Sequence, residues 1–217
     1  MSTVRGSMAP LRPVQDQTPT ATDSWVPRFG RTERFAHWWT VAMLAAALLT
    51  GLAMGDDAES GSLLTAHVGA VVLIGLGLLV AVIVGDGRAV SRATLRLFTF
   101  DRRDAEWVLA RVRHPWGGRS AHEWGMFNTG QKLLAWAVAG SVVAVVVTGI
   151  QSWSTGAEEG GPHATAVVVT VVLLSAHVFM AVVNPSTRPA LHGMVFGRVR
   201  RSWAAKHHGA WLDGVDR

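Results

Sequence analysis

Residues 163–183 read HATAVVVTVVLLSAHVFMAVV. This stretch of 21 residues contains no Asp, Glu, Lys or Arg. As an α-helix it would be about 30 Å long, the thickness of a bilayer's hydrocarbon core. In lipid a segment must satisfy its own backbone hydrogen bonds, so the stretch predicts a membrane helix rather than a strand. Two ionisable side chains interrupt it, His163 at its start and His177 deep within it.

Three further runs have the same character. Residues 35–55, 60–85 and 133–157 are free of charge, as is the full window 160–187. Their cores, Val41 to Leu49, Val68 to Val84 and Leu133 to Val147, are strongly apolar. Four buried helices of a soluble protein would need amphipathic segments to cover them, and too few remain. We therefore expect an all-α integral membrane four-helix bundle with spans at about 36–54, 63–85, 133–153 and 163–184. The bundle would belong to a domain covering 29–213, with a C-terminal segment at 185–217. Trp38, Trp39, Trp136 and Trp153 fall near span ends, where an amphipathic ring favours the interface.

The loops set the expected orientation. All 20 Lys and Arg residues lie before the first span, between the second and third, or after the fourth. The other two loops hold only acids, Asp56, Asp57 and Glu59 in one and Glu158 and Glu159 in the other. The positive-inside rule then places both termini in the cytoplasm of a bacterial inner membrane protein. The net charge of +5 thus reports orientation and not nucleic-acid binding. Residues 1–28 are rich in Ser, Thr and Pro and lack an apolar signal core, so they read as a flexible cytoplasmic tail. Between 86 and 131, Leu95, Leu97, Phe98, Trp107, Val108 and Leu109 alternate with arginines, as in short cytoplasmic helices resting on the membrane or on a partner. No internal repeat is evident in the sequence.

Composition narrows the chemistry. With no Cys among 217 residues, the chain alone cannot build a disulfide scaffold, a Cys-ligated zinc site or an iron–sulfur cluster. Histidine remains. Of nine, His37, His67, His163 and His177 fall in the charge-free runs, and an intramembrane ionisable residue is by default a functional candidate. His163 and His177 lie 14 residues apart. That is within about 40° of a whole number of helical turns and about 21 Å along the axis. The depths sort into two pairs, His67 with His163 outside and His37 with His177 inside. Paired histidines can ligate a haem iron from both faces, leaving no open position and favouring electron transfer. Gly51, Gly69, Gly140 and Gly149 are candidates for close approach around such a disc. His114, His122, His192, His207 and His208 lie in polar, basic surroundings and read as surface residues or partner contacts.

Several stretches together resemble one family. They are Arg34-Phe-Ala-His37-Trp-Trp-Thr, Ala66-His67-Val-Gly69, Phe127-Asn-Thr-Gly-Gln-Lys-Leu-Leu-Ala-Trp136 and the His163/His177 spacing. A further stretch runs Gly193-Met-Val-Phe-Gly-Arg-Val-Arg-Arg-Ser-Trp-Ala-Ala-Lys-His-His208, followed by Trp211. Across about residues 28–213 the chain resembles the cytochrome b (gamma) subunit of membrane-bound formate dehydrogenases. That subunit sits within the wider cytochrome b561-like group, which also serves some hydrogenases. The resemblance implies two haem b groups, with the four histidines as iron ligands. It also implies an iron–sulfur partner subunit, a molybdenum or tungsten catalytic subunit that oxidises formate, and menaquinone or ubiquinone as acceptor. The quinone would be held by the positions of Asn128, Gly130 and Gln131. Asn-Thr-Gly reads equally as a helix start capped by Asn128. The cytochrome of another oxidoreductase, such as a hydrogenase or thiosulfate reductase, stays open, as does a haem-free anchor.

Overall fold

The computed structural model describes residues 23–55, 61–114, 125–155 and 161–216. Four long apolar helices carry the fold: α1 (Arg31–Met54), α2 (Gly61–Ile83), α5 (Thr129–Thr155) and α6 (Pro162–Val178). The last continues through Phe179–Val183 as a π-helical turn. Each is long and apolar enough to cross a membrane. Between α2 and α5 lie α3 (Gly87–Phe98) and α4 (Arg102–Arg113). After α6 come α7 (Pro189–Phe196), α8 (Arg201–His207) and α9 (Gly209–Val215). The two acid-bearing loops and His122 lie outside the described residues.

The span surfaces explain why water is the wrong solvent. Leu52 and Ile83 are each 70% exposed, and the apolar faces around them are far too large for a soluble monomer. Hydroxyls on these helices are masked locally. Thr40, Thr50, Thr148 and Thr170 each donate to the carbonyl four residues earlier, so none needs water.

Helix boundaries follow local chemistry. Asp86 caps α3 by accepting from the Ala89 N–H at 2.9 Å. Asp101 and Asp104 form a reciprocal capping box at α4. Gly161 and Pro162 start α6, with Pro tolerated because the first helical N–H groups have no partner to lose. Asn184, whose N–H donates to the Phe179 carbonyl at 3.1 Å, closes the π turn. Pro185 follows and cannot continue a helix.

The spans pack as two hairpins. Helix α1 lies along α2 and α5 lies along α6, whereas the backbones of the two hairpins scarcely approach one another. This leaves a seam between them that polypeptide backbone does not fill. At the arginine-rich end, Trp136 donates to the Phe98 carbonyl at 3.1 Å, anchoring α3 on α5. Trp38 and Arg34 donate to the carbonyls of Met194 and Val195, tying α1 to α7.

The described part of the expected tail, from Asp23 onward, is built into the fold. Trp25–Pro27 (β1) pairs antiparallel with Arg198–Arg200 (β2), Val26 opposite Val199. The Asp23 carboxylate accepts from the Ser202 backbone N–H and hydroxyl. The reason is tertiary: the β1 edge is completed by a strand some 170 residues away. Gly197 turns the chain into β2 at φ +80°, and its carbonyl accepts from the Arg28 and Phe29 N–H groups. A Cβ there would stand 2.7 Å from the Phe29 carbonyl oxygen. Val26, Met126, Val199, Ala204, Trp211 and Leu212 form the core of this platform.

His208 departs from its expected place. Rather than a surface residue, it is 2% exposed. Its Nδ1–H donates to the Gly125 carbonyl at 2.8 Å, and its Nε2 faces Arg28 Nη2 at 3.4 Å. Arg28 is itself buried, donates to the Met126 carbonyl at 2.8 Å, and lies over the rings of Phe29, Trp203 and Trp211. Burial lowers the guanidinium to about 10, so it stays charged at neutral pH. Burial, then the Arg28 charge, push His208 down to about 3. His192 stacks on Trp25 and His207 on Trp203, both partly buried, while His114 is exposed as expected.

The sign of the pH effect follows. Between about pH 6.5, the ordinary histidine value, and about 3 the unfolded chain binds a proton that folded His208 refuses. Stability therefore falls as pH drops through that window. Denaturant midpoints read from tryptophan emission should decline from pH 7.5 to 4.5, and more shallowly in His208→Gln. Equal slopes would contradict the assignment.

Candidate functional site

The four span histidines come together as two pairs across the seam between the hairpins. His67 on α2 meets His163 on α6 with ring centres 6.4 Å apart, and His37 on α1 meets His177 on α6 at 6.3 Å. An imidazole nitrogen bonded to a transition metal sits about 2.0–2.1 Å from it, which puts two trans rings roughly 6.4 Å apart, centre to centre. Both pairs have the spacing of two axial ligands sharing one ion. No group of three or more His, Asp or Glu suited to a metal gathers among the described residues. A structural zinc site, which needs four ligands, is therefore not supported by these residues.

Hydrogen bonds choose the nitrogen at one pair. His67 Nδ1–H donates to the Ala47 carbonyl at 2.8 Å, and His163 Nδ1–H donates to the Val145 carbonyl at 3.1 Å. That tautomer leaves Nε2 as the free lone pair on each ring. Small residues make the room. A Cβ on Gly51 would lie 3.3 Å from His67 Cε1, and one on Gly149 would lie 3.1 Å from His163 Cε1. Gly69 and Gly140, the other expected candidates, have no atom within 4 Å of such a Cβ and support no close contact.

Asn128, Gly130 and Gln131 lie at the start of α5, at the arginine-rich end. Both readings of this segment can hold together. Asn128 Oδ1 accepts from the Gln131 N–H at 2.9 Å, and Gln131 Oε1 accepts from the Asn128 N–H at 3.0 Å. The reciprocal cap uses only the amide oxygens. The two side-chain NH₂ groups remain donors, and the Gly130 N–H is one of the first-turn amides without an intrahelical acceptor. Three N–H donors therefore cluster at one helix start, a surface suited to a carbonyl oxygen.

Directly behind the segment is a buried ion pair that the sequence did not reveal. Lys132 Nζ donates to Asp104 Oδ2 and Thr129 Oγ1 to Asp104 Oδ1, each at 2.6 Å. Asp104 is 2% exposed. It locks α4 against the first turn of α5. Arg28 and His208 hold the carbonyls of Met126 and Gly125 on the other flank.

A family model described as prokaryotic cytochrome b561 matches residues 28–197. The chain belongs to that family. The relatives include the cytochrome b556(Fdn) subunit of the nitrate-inducible formate dehydrogenase of Escherichia coli (strain K12). The chain is 27% identical to it over 128 residues, 54% of the present chain and 58% of the relative. The same-named subunit of Shigella flexneri matches equally. The chain thus spans little more than half the length of the curated relatives it matches. As a b-type cytochrome with four apolar helices, it is a membrane protein of a haem b family. The residues present fit that group: paired imidazoles at the separation of two axial ligands, free Nε2 atoms at one pair and a backbone-free seam between hairpins.

Proposed function

We propose that this chain holds two haem b groups, one between His67 and His163 and the other between His37 and His177. In this role it is an electron-transfer and quinone-reducing subunit, not the formate-oxidising one, of a formate dehydrogenase complex. The observation that supports the reading most strongly is the pair of matched histidine separations at two depths of one apolar bundle.

Haem, when bound, would supply a one-electron carrier, held by the imidazoles of His67 and His163 or of His37 and His177. The chain sets the positions. Because His163 and His177 share one helix about 21 Å apart, the carriers are stacked across the bilayer. With the basic loops cytoplasmic, the His67–His163 site faces outward, toward an iron–sulfur subunit fed by a molybdenum or tungsten catalytic subunit. The name of the relatives favours formate as the reductant. Asn128, Gly130 and Gln131 hold menaquinone or ubiquinone at the cytoplasmic end by donating to a carbonyl oxygen. Protons for the reduced quinone are then drawn from the cytoplasm. Each elementary charge moved across 100 mV is worth about 2.3 kcal/mol, so this arrangement conserves energy.

The quinone assignment is tested by separating cap from donor. Asn128→Asp keeps the capping oxygen and removes the NH₂ donor. Loss of one such bond, worth about 1–1.5 kcal/mol, predicts a roughly tenfold fall in quinone-reduction efficiency at unchanged haem content. Asn128→Ala, which also loses the cap, should fall further. Wild-type kinetics in both variants would contradict the assignment. Co-purification with iron–sulfur and molybdopterin subunits tests the complex itself; a different catalytic partner would overturn the formate reading.

A further inference from the structure

The two hairpins share a local device that their sequences barely advertise. In α1, Thr50 Oγ1 donates to the Ala46 carbonyl at 2.7 Å and lies 3.4 Å from His67 Nδ1. In α5, Thr148 Oγ1 donates to the Ala144 carbonyl at 2.6 Å and lies 3.4 Å from His163 Nδ1. In both cases the carbonyl three residues before the threonine, Ala47 or Val145, accepts the imidazole N–H. In both cases the next residue is the glycine under the ring, Gly51 or Gly149. Leu49-Thr50-Gly51-Leu52 and Val147-Thr148-Gly149-Ile150 are therefore two copies of one element. Each grips the histidine of the helix that follows it.

We propose that Thr50–Gly51 and Thr148–Gly149 are matched positioning clips that hold His67 and His163 in crossed planes on a shared haem iron. The inference rests on the haem reading above and adds to it the residues that set ring orientation.

A threonine hydroxyl has one hydrogen, and in each clip the carbonyl four residues back is the nearer acceptor, at 2.7 and 2.6 Å against 3.0 and 3.2 Å for the carbonyl three back. The oxygen's lone pairs are then left to face the imidazole N–H. The carbonyl of Ala47 or Val145 has two lone pairs, so it can accept the ring as well as its helical N–H. The ring is thus held by a main acceptor and a secondary one, which fixes rotation as well as tautomer. Glycine lets the ring lie against the helix backbone, where a methyl group would push it away by a few tenths of an ångström.

The outcome is visible in the ring angles. His67 and His163 stand at 86° to each other, close to perpendicular. His37 and His177 have no corresponding backbone partner among the described residues and stand at 59°. Ring orientation matters to iron. Parallel imidazoles donate into the same iron d orbital and split the π set. Crossed imidazoles donate into both orbitals and keep them nearly equal in energy. A ferric low-spin centre with crossed ligands therefore gives a strongly anisotropic paramagnetic resonance signal.

The test uses the full-length oxidised protein in detergent, with haem counted per chain and low-spin ferric signals recorded. Wild type should give two signals, the more anisotropic one lost in His163→Ala. In the Thr50→Val/Thr148→Val double variant that signal should shift toward lower anisotropy, or its haem alone should be lost. The signal from the His37–His177 site should not move. The Thr50→Ser/Thr148→Ser variant keeps both hydroxyls and should restore the wild-type spectrum, separating the clip from general misfolding. An unchanged anisotropic signal in the double valine variant would overturn the inference, as would equal changes in both signals. Absence of any low-spin bis-imidazole signal from wild type would instead sink the underlying haem reading.

Discussion

Changing His163 to Ala is expected to remove one haem from each chain and leave the other. The iron between His67 and His163 would keep a single axial ligand, and the His67 ring would face an open seam. Loss of an outer-shell partner alone typically costs 10–100-fold in metal affinity, so loss of a ligand should empty the site. The other pair should be spared. His177 lies about 21 Å farther along the helix, beyond the range at which substitutions usually couple. His67→Ala should reproduce the result, while His37→Ala and His177→Ala should remove the complementary haem. Haem quantified per folded chain, with the difference spectrum of the remaining centre, checks each variant. Equal loss of both haems from well-folded single variants would contradict the pairing.

Lys132→Ala is expected to be the most damaging substitution away from the histidines. It strips the ammonium from the buried Asp104 carboxylate, which keeps the Thr129 hydroxyl and the Asp101 N–H as partners. Breaking a buried pair from one side typically costs about 3–5 kcal/mol, because the surviving charge is uncompensated. Replacing both partners, as Asp104→Asn with Lys132→Met, should recover much of that loss. Burial pushes the Asp104 carboxyl up, but bonds from Lys132, Thr129 and the Asp101 N–H outweigh it and hold the group below its ordinary value. Its contribution is therefore complete above about pH 3.9 and is lost as pH falls below that. Thermal unfolding in detergent at pH 7 checks the first claim. A single variant as stable as wild type would contradict it. Quinone reduction should fall in parallel, since Lys132 follows Gln131 on the first turn of α5.

The spans were legible because lipid imposes a simple rule on sequence: about 20 residues without charge. The histidine pairing was legible for a similar reason. A spacing of 14 residues on one helix fixes both direction and depth, and the other two histidines could match only one way. The arginine-rich end was not legible in the same manner. His208 sits among basic residues in sequence, yet its burial depends on a carbonyl 83 residues away and on three aromatic or cationic neighbours. Likewise, Trp25–Pro27 looks like part of a Pro-rich tail until a distant strand supplies its partner. Asp104 and Lys132 are separated by 28 positions, and neither shows a local pattern that announces the pair. The Thr-Gly clips were not legible either, because Thr-Gly alone is too common a dipeptide to stand out. Only the ring held by each copy gives it meaning. The π turn after His177 belongs with these, since it is defined by a bond to the fifth residue back. Such turns occur often at functional sites.

The most direct test of the central claim is the haem-to-protein ratio of the purified, folded chain, read together with its reduced-minus-oxidised spectrum. Two b-type haems per chain, both low-spin and six-coordinate, are the expected result. One haem per chain, or no b-type spectrum at all, would contradict it.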